Sequence, residues 1–386
     1  MDRVFSYWIM FFAGFGAVLT GPSAYGGEVL FEDVHAVTLP VQNYGYRGMP
    51  GDIIELKDGR LLLAYTRYLA NGRPDGAIGA KYSEDEGKTW GEEFALVPAP
   101  RPPLPDKSIH IYCHPSFLRL SNGDILLSYI YRGSMKPLFG HNYYRRSVDD
   151  GQSWGDQLIV NPSQGYHIMH NDKLVLLSTG RIIAPIEFEL AKPEDDHGGY
   201  VSYTAYSDDK GCSWWRSTNE VNLQKEGVET QEPHVVELKD GRLLMLMRTY
   251  SGYVVKAYSE DQGQSWGPGI KVPELKLPSH TSSALCVKRI PSTGDLLLLR
   301  CSDGPKEPYR WRTPFVSVLS KDDGETWTNE RVLMGEPEND YGYPSITFVK
   351  DIALISYHQR NGLHVLRVGI DWFYQEQASK ETVNSL

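Results

Sequence analysis

An eight-residue pattern, Ser-x-Asp-x-Gly-x-Ser/Thr-Trp, recurs five times in this chain and constrains its fold more than any other feature. The copies occupy residues 83–90, 147–154, 207–214, 259–266 and 320–327. Successive copies begin 64, 60, 52 and 61 residues apart. Near-regular repetition at this distance indicates a chain built from similar units that bury their faces against one another.

A second element alternates with the first, namely two apolar runs separated by a turn that contains glycine. The turn glycines are Gly59, Gly123, Gly180, Gly241 and Gly294, and a sixth copy over 345–357 turns at Lys350-Asp351 without glycine. The segments 55–62 and 237–244 are the same eight residues. Asp-Gly between apolar stretches is typical of a β-hairpin because the turn needs positive φ. Each unit is therefore predicted to contain a hairpin, a third strand that ends in the Ser-x-Asp pattern, and a fourth strand.

Composition and unit count together predict the fold class. The 386 residues include 37 Gly, 24 Pro, 24 Tyr and 9 Trp, which favours an all-β chain with short strands and tight turns. Six units of about 60 residues predict a six-bladed β-propeller over 27–386. The sixth Ser-x-Asp pattern is missing, so we expect both termini to close one blade, with strands from 29–39 and 363–372. We expect the pattern itself to be structural, with Asp bound to the turn and Trp packed between blades.

The N-terminus has the pattern of a secretory signal peptide over residues 1–26. Arg3 precedes an apolar run over 7–19, and the small residues Ala24 and Gly26 stand at the −3 and −1 positions of a cleavage site. The alternative is a retained anchor, for which a run of this length is short. We expect a secreted or periplasmic protein with no membrane span after cleavage.

Charge and cysteine content limit the partners and cofactors. With 39 basic and 49 acidic residues the formal charge is −10, which argues against a nucleic-acid partner. Cys286 and Cys301 flank a turn over 291–295 almost symmetrically, so they form either a hairpin disulfide or two buried thiols. The spacing of His and Cys has no zinc signature, and we expect neither a metal nor an organic cofactor. The oligomeric state is not set by these features.

Strand order predicts which residues share a face of the disc. In a four-stranded meander the glycine hairpins and the Ser-x-Asp turns lie on one face, and the blade crossings and 2–3 loops lie on the other, where function usually resides. The residues that fall on this second face are Arg47, Asp75, His114, Asn171, Glu232, Arg248, Arg312 and Tyr343. Three arginines suit a carboxylate or sulfate, because guanidinium groups bind such anions through paired hydrogen bonds. The alternative is that each arginine pairs with a carboxylate on a polar rim.

These motifs resemble the sialidase (neuraminidase) superfamily, whose repeats of this type are called Asp-boxes or BNR repeats and whose catalytic domain is a six-bladed propeller. The likeness covers nearly the whole chain after residue 26. The segment from Gln231-Glu232-Pro233 to Arg248-Thr249 is similar to the family segment with the catalytic glutamate and the second substrate arginine. Tyr343-Pro344-Ser345-Ile346 is similar to the segment with the nucleophilic tyrosine.

The remaining family positions match less closely. Arg312 stands where the third arginine is expected, with Arg310 as a substitute. Tyr46-Arg47-Gly48-Met49-Pro50 is similar to the first-arginine motif but has an extra residue before the proline. Asp75 matches the acid/base aspartate on the 2–3 loop of the first blade, and Asp52 is the alternative.

The resemblance implies a retaining exo-α-sialidase that removes terminal sialic acid from glycoconjugates. Tyr343 would act as nucleophile with Glu232 as its general base, and Asp75 would protonate the leaving oxygen and then activate water. Arg47, Arg248 and Arg312 would bind the sugar carboxylate. His114 and Asn171 are further candidates for substrate binding.

Two other functions fit the same scaffold. His110, His114, His167 and His170 are not part of the family's catalytic set, and histidine can act as a general base near neutral pH. They favour a lyase or glycosidase that acts on another acidic sugar, such as a uronate polysaccharide. A non-catalytic carbohydrate-binding propeller would need the arginines but neither Asp75 nor Tyr343.

Overall fold

The computed structural model describes residues 29–39, 49–68, 74–100, 110–135, 138–190, 198–278, 284–302 and 312–376. Within these ranges the chain forms six antiparallel sheets, which are the blades of a β-propeller. Two 3-10 helices, Gln224–Glu226 and Ile370–Tyr374, are short. No helix among the described residues has the length and apolar character that crossing a bilayer requires. The predicted signal peptide over 1–26 lies outside the described residues.

The strands are numbered in chain order, and the blades follow the order in which the chain completes them. The first strand is β1 (Phe31–Thr38). Blade 1 contains β2 (Gly51–Glu55), β3 (Leu61–Tyr68), β4 (Pro74–Ser83) and β5 (Phe94–Val97). Blade 2 contains β6 (Ile111–Arg119), β7 (Ile125–Met135), β8 (Leu138–Ser147) and β9 (Leu158–Ile159). Blade 3 contains β10 (His167–Ile168), β11 (Val175–Leu176), β12 (Ile182–Glu189), β13 (Tyr200–Ser207) and β14 (Trp215–Arg216). Blade 4 contains β15 (Gln231–Glu237), β16 (Leu243–Arg248), β17 (Tyr253–Ser259) and β18 (Ile270–Lys276). Blade 5 contains β19 (Cys286–Arg289), β20 (Leu296–Cys301), β21 (Phe315–Ser320) and β22 (Thr328–Met334). Blade 6 contains β23 (Gly342–Val349), β24 (Ile352–Gln359), β25 (Gly362–Gly369) and β1.

Blade 6 is closed by the N-terminal strand, as the missing sixth pattern predicts. β1 pairs antiparallel with β25, from Phe31 opposite Val368 to Thr38 opposite Gly362. Gly362 has φ +142, and a Cβ there would come within 1.9 Å of the Val37 carbonyl oxygen. Only glycine fits this approach of the two strands. The all-β, six-bladed prediction is therefore confirmed, together with the joint closure by both termini.

The Asp-box turns have the structural role that the sequence predicts. In the fourth copy Asp261 accepts hydrogen bonds from the Ser259 hydroxyl, at 2.8 Å, and from the backbone and hydroxyl of Ser265. Trp266 packs between blades 3 and 4, and its indole N–H donates to Thr204 of blade 3 at 2.9 Å. Each of the six neighbouring blade pairs encloses an apolar cluster of this kind. Burial of these faces is what holds the ring together.

The cysteines of the predicted hairpin are two buried thiols, and the disulfide alternative is not formed. The hairpin register sets Leu299 opposite Cys286, two residues before Cys301. The Cys286 thiol contacts an Asp172 carboxylate oxygen at 3.4 Å, and the Cys301 thiol contacts the Tyr341 carbonyl oxygen at 3.4 Å. The two sulfur atoms therefore have different partners.

The inner strands bring their N-terminal ends to one face around the axis. They are continuous in five blades, but in blade 3 the inner strand is split into β10 and β11, with residues 169–174 between them. Backbone groups of other blades bind this interruption, because Asp172 accepts a hydrogen bond from the Ile346 N–H at 2.8 Å. Asp52 likewise accepts from the Phe117 N–H at 2.7 Å and joins blades 1 and 2. Hydrogen bonds from backbone N–H groups to these two carboxylates thus connect different blades.

Candidate functional site

The same backbone conformation recurs in the N-terminal half of three inner strands. His114, Glu232 and Tyr343 each precede a proline and have positive φ, at 55°, 45° and 51°. At each position the register to the neighbouring strand shifts, which marks a β-bulge. Bulges re-aim side chains, and positive φ at non-glycine residues concentrates at functional sites. This conformation occurs in blades 2, 4 and 6 and brings the three side chains together near the axis.

Tyr343 and Glu232 form the centre of the site. The Tyr343 hydroxyl donates a hydrogen bond to Glu232 Oε1 at 2.6 Å, although the residues are 111 positions apart. Both side chains are buried. His114 packs edge-on against the Tyr343 ring, with the ring centroids 5.2 Å apart. The phenolic hydroxyl therefore donates to a carboxylate in a site shielded from bulk water.

Two of the predicted arginines lie beside this pair. Arg248 Nε is 2.8 Å from Glu232 Oε2, and the Arg312 guanidinium carbon is 5.5 Å from the centroid of the Tyr343 ring. Asp340 accepts a hydrogen bond from the Arg312 backbone N–H at 2.8 Å, which fixes the chain at that point. Strand parity predicts that these four residues lie on one face, and the structure places their side chains next to one another.

Burial and charge set the protonation of the central pair in opposite directions. Burial raises the pKa of Glu232, but Arg248, His170, the Tyr343 hydrogen bond and Arg312 together hold that pKa below its ordinary value of 4.5. Burial, followed by the Glu232 charge, raises the pKa of Tyr343 above its ordinary value of 10.0. At neutral pH Glu232 is ionised and Tyr343 is a neutral phenol. This is the state in which a carboxylate can accept the phenolic proton.

A histidine and a second glutamate complete the network on the side of blade 3. His170 Nε2 lies 3.3 Å from Glu187 Oε1 and 3.4 Å from Glu232 Oε1. Glu187 also accepts a hydrogen bond from the Glu232 backbone N–H at 2.9 Å. His170 Nδ1 is 3.0 Å from His114 Nδ1. Burial, followed by the charge of His170, holds the pKa of His114 well below its ordinary value, so His114 is neutral.

His170, Glu187 and Glu232 could each offer one ligand atom to a metal, since these atoms lie within 4.8 Å of one another. Both oxygens of Glu232 are already engaged, one by the Tyr343 hydroxyl and one by Arg248. The cationic guanidinium beside the carboxylate also opposes a second cation. The donor set fits a hydrogen-bonded proton network better than a metal centre.

Asn171 positions the backbone of Tyr343. Its side-chain amide donates to the Tyr343 carbonyl oxygen at 2.9 Å and to the Gly51 carbonyl oxygen at 3.0 Å. The residue is buried, so its amide ties blades 1, 3 and 6 beneath the site. This geometry supports a positioning role for Asn171.

The two candidate acid/base aspartates have other partners. Asp75 Oδ2 accepts a hydrogen bond from Arg67 Nε at 2.6 Å, and Asp75 Oδ1 accepts from the Ala77 N–H at 2.9 Å. Among the described residues its hydrogen bonds and ion pairs do not include Tyr343 or Glu232. Asp52 is buried and bound to the Phe117 and Ile53 N–H groups. Asp75 is thus held by Arg67 of the neighbouring strand, and Asp52 is an inter-blade link.

The other predicted residues divide into two groups. Arg47, and Arg310 as the substitute candidate for Arg312, lie outside the described residues. His167 stacks on Phe188 and is bound by the Tyr203 hydroxyl and the Gln164 carbonyl, while burial lowers the pKa of His167 to about 4. His110 is bound through Nδ1 to the Tyr131 hydroxyl. Of the four histidines, His114 and His170 belong to the site.

Glu187 and Arg132 also lie in or near the site, but neither is among the residues predicted from the sequence. Glu187 lies near the end of β12, the second strand of its blade, in the same kind of position that marks Arg248 in blade 4. That equivalence is a signal which could identify it. Arg132 lies on β7, and its guanidinium carbon is 5.6 Å from the centroid of the Tyr166 ring. Its charge also acts on His114 and Tyr343, and its strand partner Ile111 stands three residues before His114.

Comparison with known proteins agrees with this architecture. A sialidase of Micromonospora viridifaciens is 26% identical, in a match that covers 92% of this chain and 56% of that protein. The chain spans about half the length of this curated relative. A solved protein of unknown function from Dyadobacter fermentans superposes with a TM-score of 0.64 at 20% identity, over 88% of this chain and 99% of that one. The Hadza microbial sialidase Hz136 superposes with a TM-score of 0.62 at 17% identity, over 83% of this chain and 65% of that one.

The family match extends over most of the propeller. Residues 59–355 match the family described as the BNR repeat-like domain. That range runs from the turn of the first hairpin into the second strand of the last hairpin and includes all five Asp-boxes. The chain therefore belongs to the BNR repeat-like domain family, as a sialidase-like protein with the six-bladed fold of the solved sialidases.

Proposed function

We propose that this protein is a retaining exo-glycosidase that removes terminal sialic acid, or a closely related acidic sugar, from glycoconjugates. The observation that carries the proposal is the 2.6 Å hydrogen bond from Tyr343 to Glu232, with Arg248 and Arg312 beside it. The sialidase relatives support the same substrate class.

The proposed chemistry follows from the charge of the substrate. The anomeric carbon of a sialoside carries a carboxylate, which would repel an anionic nucleophile. A neutral phenol avoids this repulsion, and Glu232 can take the phenolic proton as Tyr343 Oη bonds to the anomeric carbon. Tyrosine nucleophiles of this kind are a recognised exception to the two-carboxylate scheme of glycoside hydrolysis.

In the remaining steps the leaving oxygen gains a proton and water releases the sugar from Tyr343. An acid, for which Asp75 is our candidate, protonates the leaving oxygen as the glycosidic bond breaks. The same group then takes a proton from water, which attacks the anomeric carbon and releases Tyr343, and Glu232 returns its proton to the phenolate. Arg248 and Arg312, together with Arg47, would hold the sugar carboxylate during both displacements. Two inversions at one carbon give overall retention.

The direct test is removal of the phenolic oxygen. Tyr343→Phe should lower kcat for release of a fluorogenic aryl sialoside by a factor on the order of 10³ or more. Tyr341→Phe is the matched control, because it removes a buried phenolic oxygen two residues away that contacts Glu336 rather than Glu232. It should keep near wild-type turnover. Full turnover by Tyr343→Phe would remove Tyr343 from the mechanism.

A second candidate function is favoured by the histidine pair. His114 and His170 contact each other and pack against Tyr343, which resembles the parts needed for proton abstraction from another acidic sugar. A lyase acting on a uronate polymer would form unsaturated products that absorb in the ultraviolet. Such products from the wild-type protein, without release of sialic acid, would favour this function.

Saturable binding of a sialoside that stays intact would instead favour a non-catalytic carbohydrate-binding propeller.

We also propose that the protein is exported. Residues 1–26 have the charged, apolar and small-residue regions of a signal peptide in the expected order. N-terminal sequencing of protein recovered outside the cytoplasm should begin at Gly27. Recovery of an uncleaved N-terminus there would contradict cleavage.

A further inference from the structure

Arg132 lies beside the catalytic candidates but belongs to none of their ion pairs. It is on β7 of blade 2, opposite Ile111 and Gly140 in the two neighbouring strands, and is partly exposed. Its guanidinium carbon lies 5.6 Å from the Tyr166 ring centroid. Its strand partner Ile111 stands three residues before His114, and the charge of Arg132 acts on both His114 and Tyr343.

Among the described residues, the groups that act most strongly on the charge of Arg132 are themselves uncharged at neutral pH. The four that act most strongly are Tyr166, Cys113, Tyr343 and Tyr200, three phenols and a thiol. Burial raises the pKa of each phenol above its ordinary value and raises the pKa of Cys113 to about 12. All four are therefore uncharged at pH 7. No carboxylate of the described residues forms an ion pair with Arg132, whereas Arg248 is paired with Glu232 at 2.8 Å.

Blade order separates Arg132 from the arginines of the sialidase-like set. The six blades form a closed ring in chain order, so blade 2 lies across the axis from blade 5. Arg312 precedes β21 of blade 5, and Arg248 ends β16 of blade 4. A sugar bound over Tyr343 with its carboxylate toward Arg312 would present a different part of its ring or side chain to Arg132.

We propose that Arg132 binds a second oxyanion of the substrate, a carboxylate or sulfate ester carried in addition to the carboxylate at the anomeric carbon. This inference rests on the proposed function and narrows its substrate class to doubly charged acidic sugars. A partly buried guanidinium that has no counter-ion in the described part of the chain gains most from such a group, because the charge-assisted pair forms where solvent screening is reduced. The aromatic rings of Tyr166 and Tyr200 would flank the same group.

Binding of inorganic sulfate tests Arg132 without relying on turnover. In an Arg312→Gln background, sulfate affinity is compared with that of the double variants Arg312→Gln/Arg132→Gln and Arg312→Gln/Arg145→Gln by calorimetry. Arg145 is the matched control, since it lies on β8 of the same blade and binds the Tyr129 hydroxyl and the Gly155 carbonyl. We expect Arg132→Gln to weaken sulfate binding about tenfold or more and Arg145→Gln to leave it unchanged. No sulfate binding in the Arg312→Gln protein, or equal affinity in both double variants, would overturn the proposal.

Substrate preference gives the second readout. The ratio of kcat/KM for an aryl sialoside with a sulfate ester to that for the unsulfated compound should exceed one and fall about tenfold or more in Arg132→Gln. Arg132→Lys should retain part of the preference, because it keeps the charge but not the paired donors. An unchanged ratio would overturn the proposal. If the wild type cleaves neither compound, the sulfate titration still decides the role of Arg132, and the failure is that of the proposed function.

Discussion

Glu232 is bound on three sides by groups that come from three different blades. Tyr343 of blade 6 donates to one oxygen, Arg248 of blade 4 pairs with the other, and Glu187 of blade 3 accepts from the backbone N–H. Removing one partner of such a buried pair leaves the other charge without compensation. The carboxylate is therefore held both in place and in its ionised form.

The acid limb of the pH profile should report this ionisation. If Glu232 is the base, kcat/KM falls as pH drops through its pKa in the free enzyme, which lies below 4.5. Arg248→Gln removes the cation that most lowers this pKa, so the limb should move to higher pH by about 1 unit or more. Arg145→Gln should leave it in place. A limb that does not move in Arg248→Gln would assign it to another group.

Single residues differ in how far the sequence reveals them. Glu232, Arg248, Arg312 and Tyr343 can be found by strand parity and family likeness. Glu232 and Tyr343 stand at the start of inner strands, Arg248 ends a second strand, and Arg312 precedes a third strand. Glu187 occurs in the alternating run Ile186-Glu187-Phe188-Glu189, where a charge is typical of a solvated strand face. The Arg67–Asp75 ion pair joins β3 to β4 across a connection, and no local pattern predicts it. Pairings of side chains between strands need the register, which the sequence does not contain.

The inner strands supply central residues of the site, and the bulge in three of these strands redirects the side chain toward the site. In blades 2, 4 and 6 the residue before proline has positive φ, and these residues are His114, Glu232 and Tyr343. In blade 3 the positive φ falls on Asp172 and the strand is split, so the axis is filled by Asn171 and Asp172. The hairpin pattern predicts an ordinary first strand there. The interruption depends on hydrogen bonds to blades 1 and 6, which are distant in sequence.

Two turn glycines in blades 4 and 5 test the packing of an Asp-box. Gly324 has φ +86, and a Cβ there would meet Leu244 Cδ2 at 2.5 Å, whereas Gly241 has φ +87 and open space around it. Gly241→Ala should lower the free energy of unfolding by about 1 kcal/mol, from backbone strain alone. Gly324→Ala should cost about 1–3 kcal/mol more, because the side chain of the neighbouring blade must move. Urea unfolding followed by tryptophan fluorescence measures both, and equal losses would contradict tight packing of the box.

The whole molecule is a ring whose last blade depends on the first strand. β1 pairs along β25, and Asp33 accepts a hydrogen bond from the Tyr357 hydroxyl and pairs with His364, both at 3.0 Å. The fold could be predicted from sequence because its six units repeat the same hairpin and turn signals. The missing sixth box also predicts the closure, since a blade without its own fourth strand must obtain one elsewhere.

Removal of β1 should open this ring. A chain that begins at residue 40 lacks the strand and leaves the β25 edge exposed, so it should unfold at least about 10 °C lower or self-associate. A chain that begins at residue 29 keeps the strand and serves as the control. Thermal unfolding by circular dichroism and size-exclusion chromatography measure the two effects. Equal unfolding temperatures and a monomeric truncated chain would show that blade 6 is stable without β1.

In the proposed mechanism Tyr343, which lies beside Glu232 in the closed ring, forms a covalent bond to the substrate. A fluorinated sialosyl fluoride slows both displacements, so the glycosyl-enzyme intermediate accumulates and can be located by peptide mass spectrometry. We predict one fluorosialyl group on the peptide that contains Tyr343 in the wild type and none in Tyr343→Phe. If the protein turns over sialosides but the label is on another residue, or Tyr343 stays unlabelled, Tyr343 is not the nucleophile.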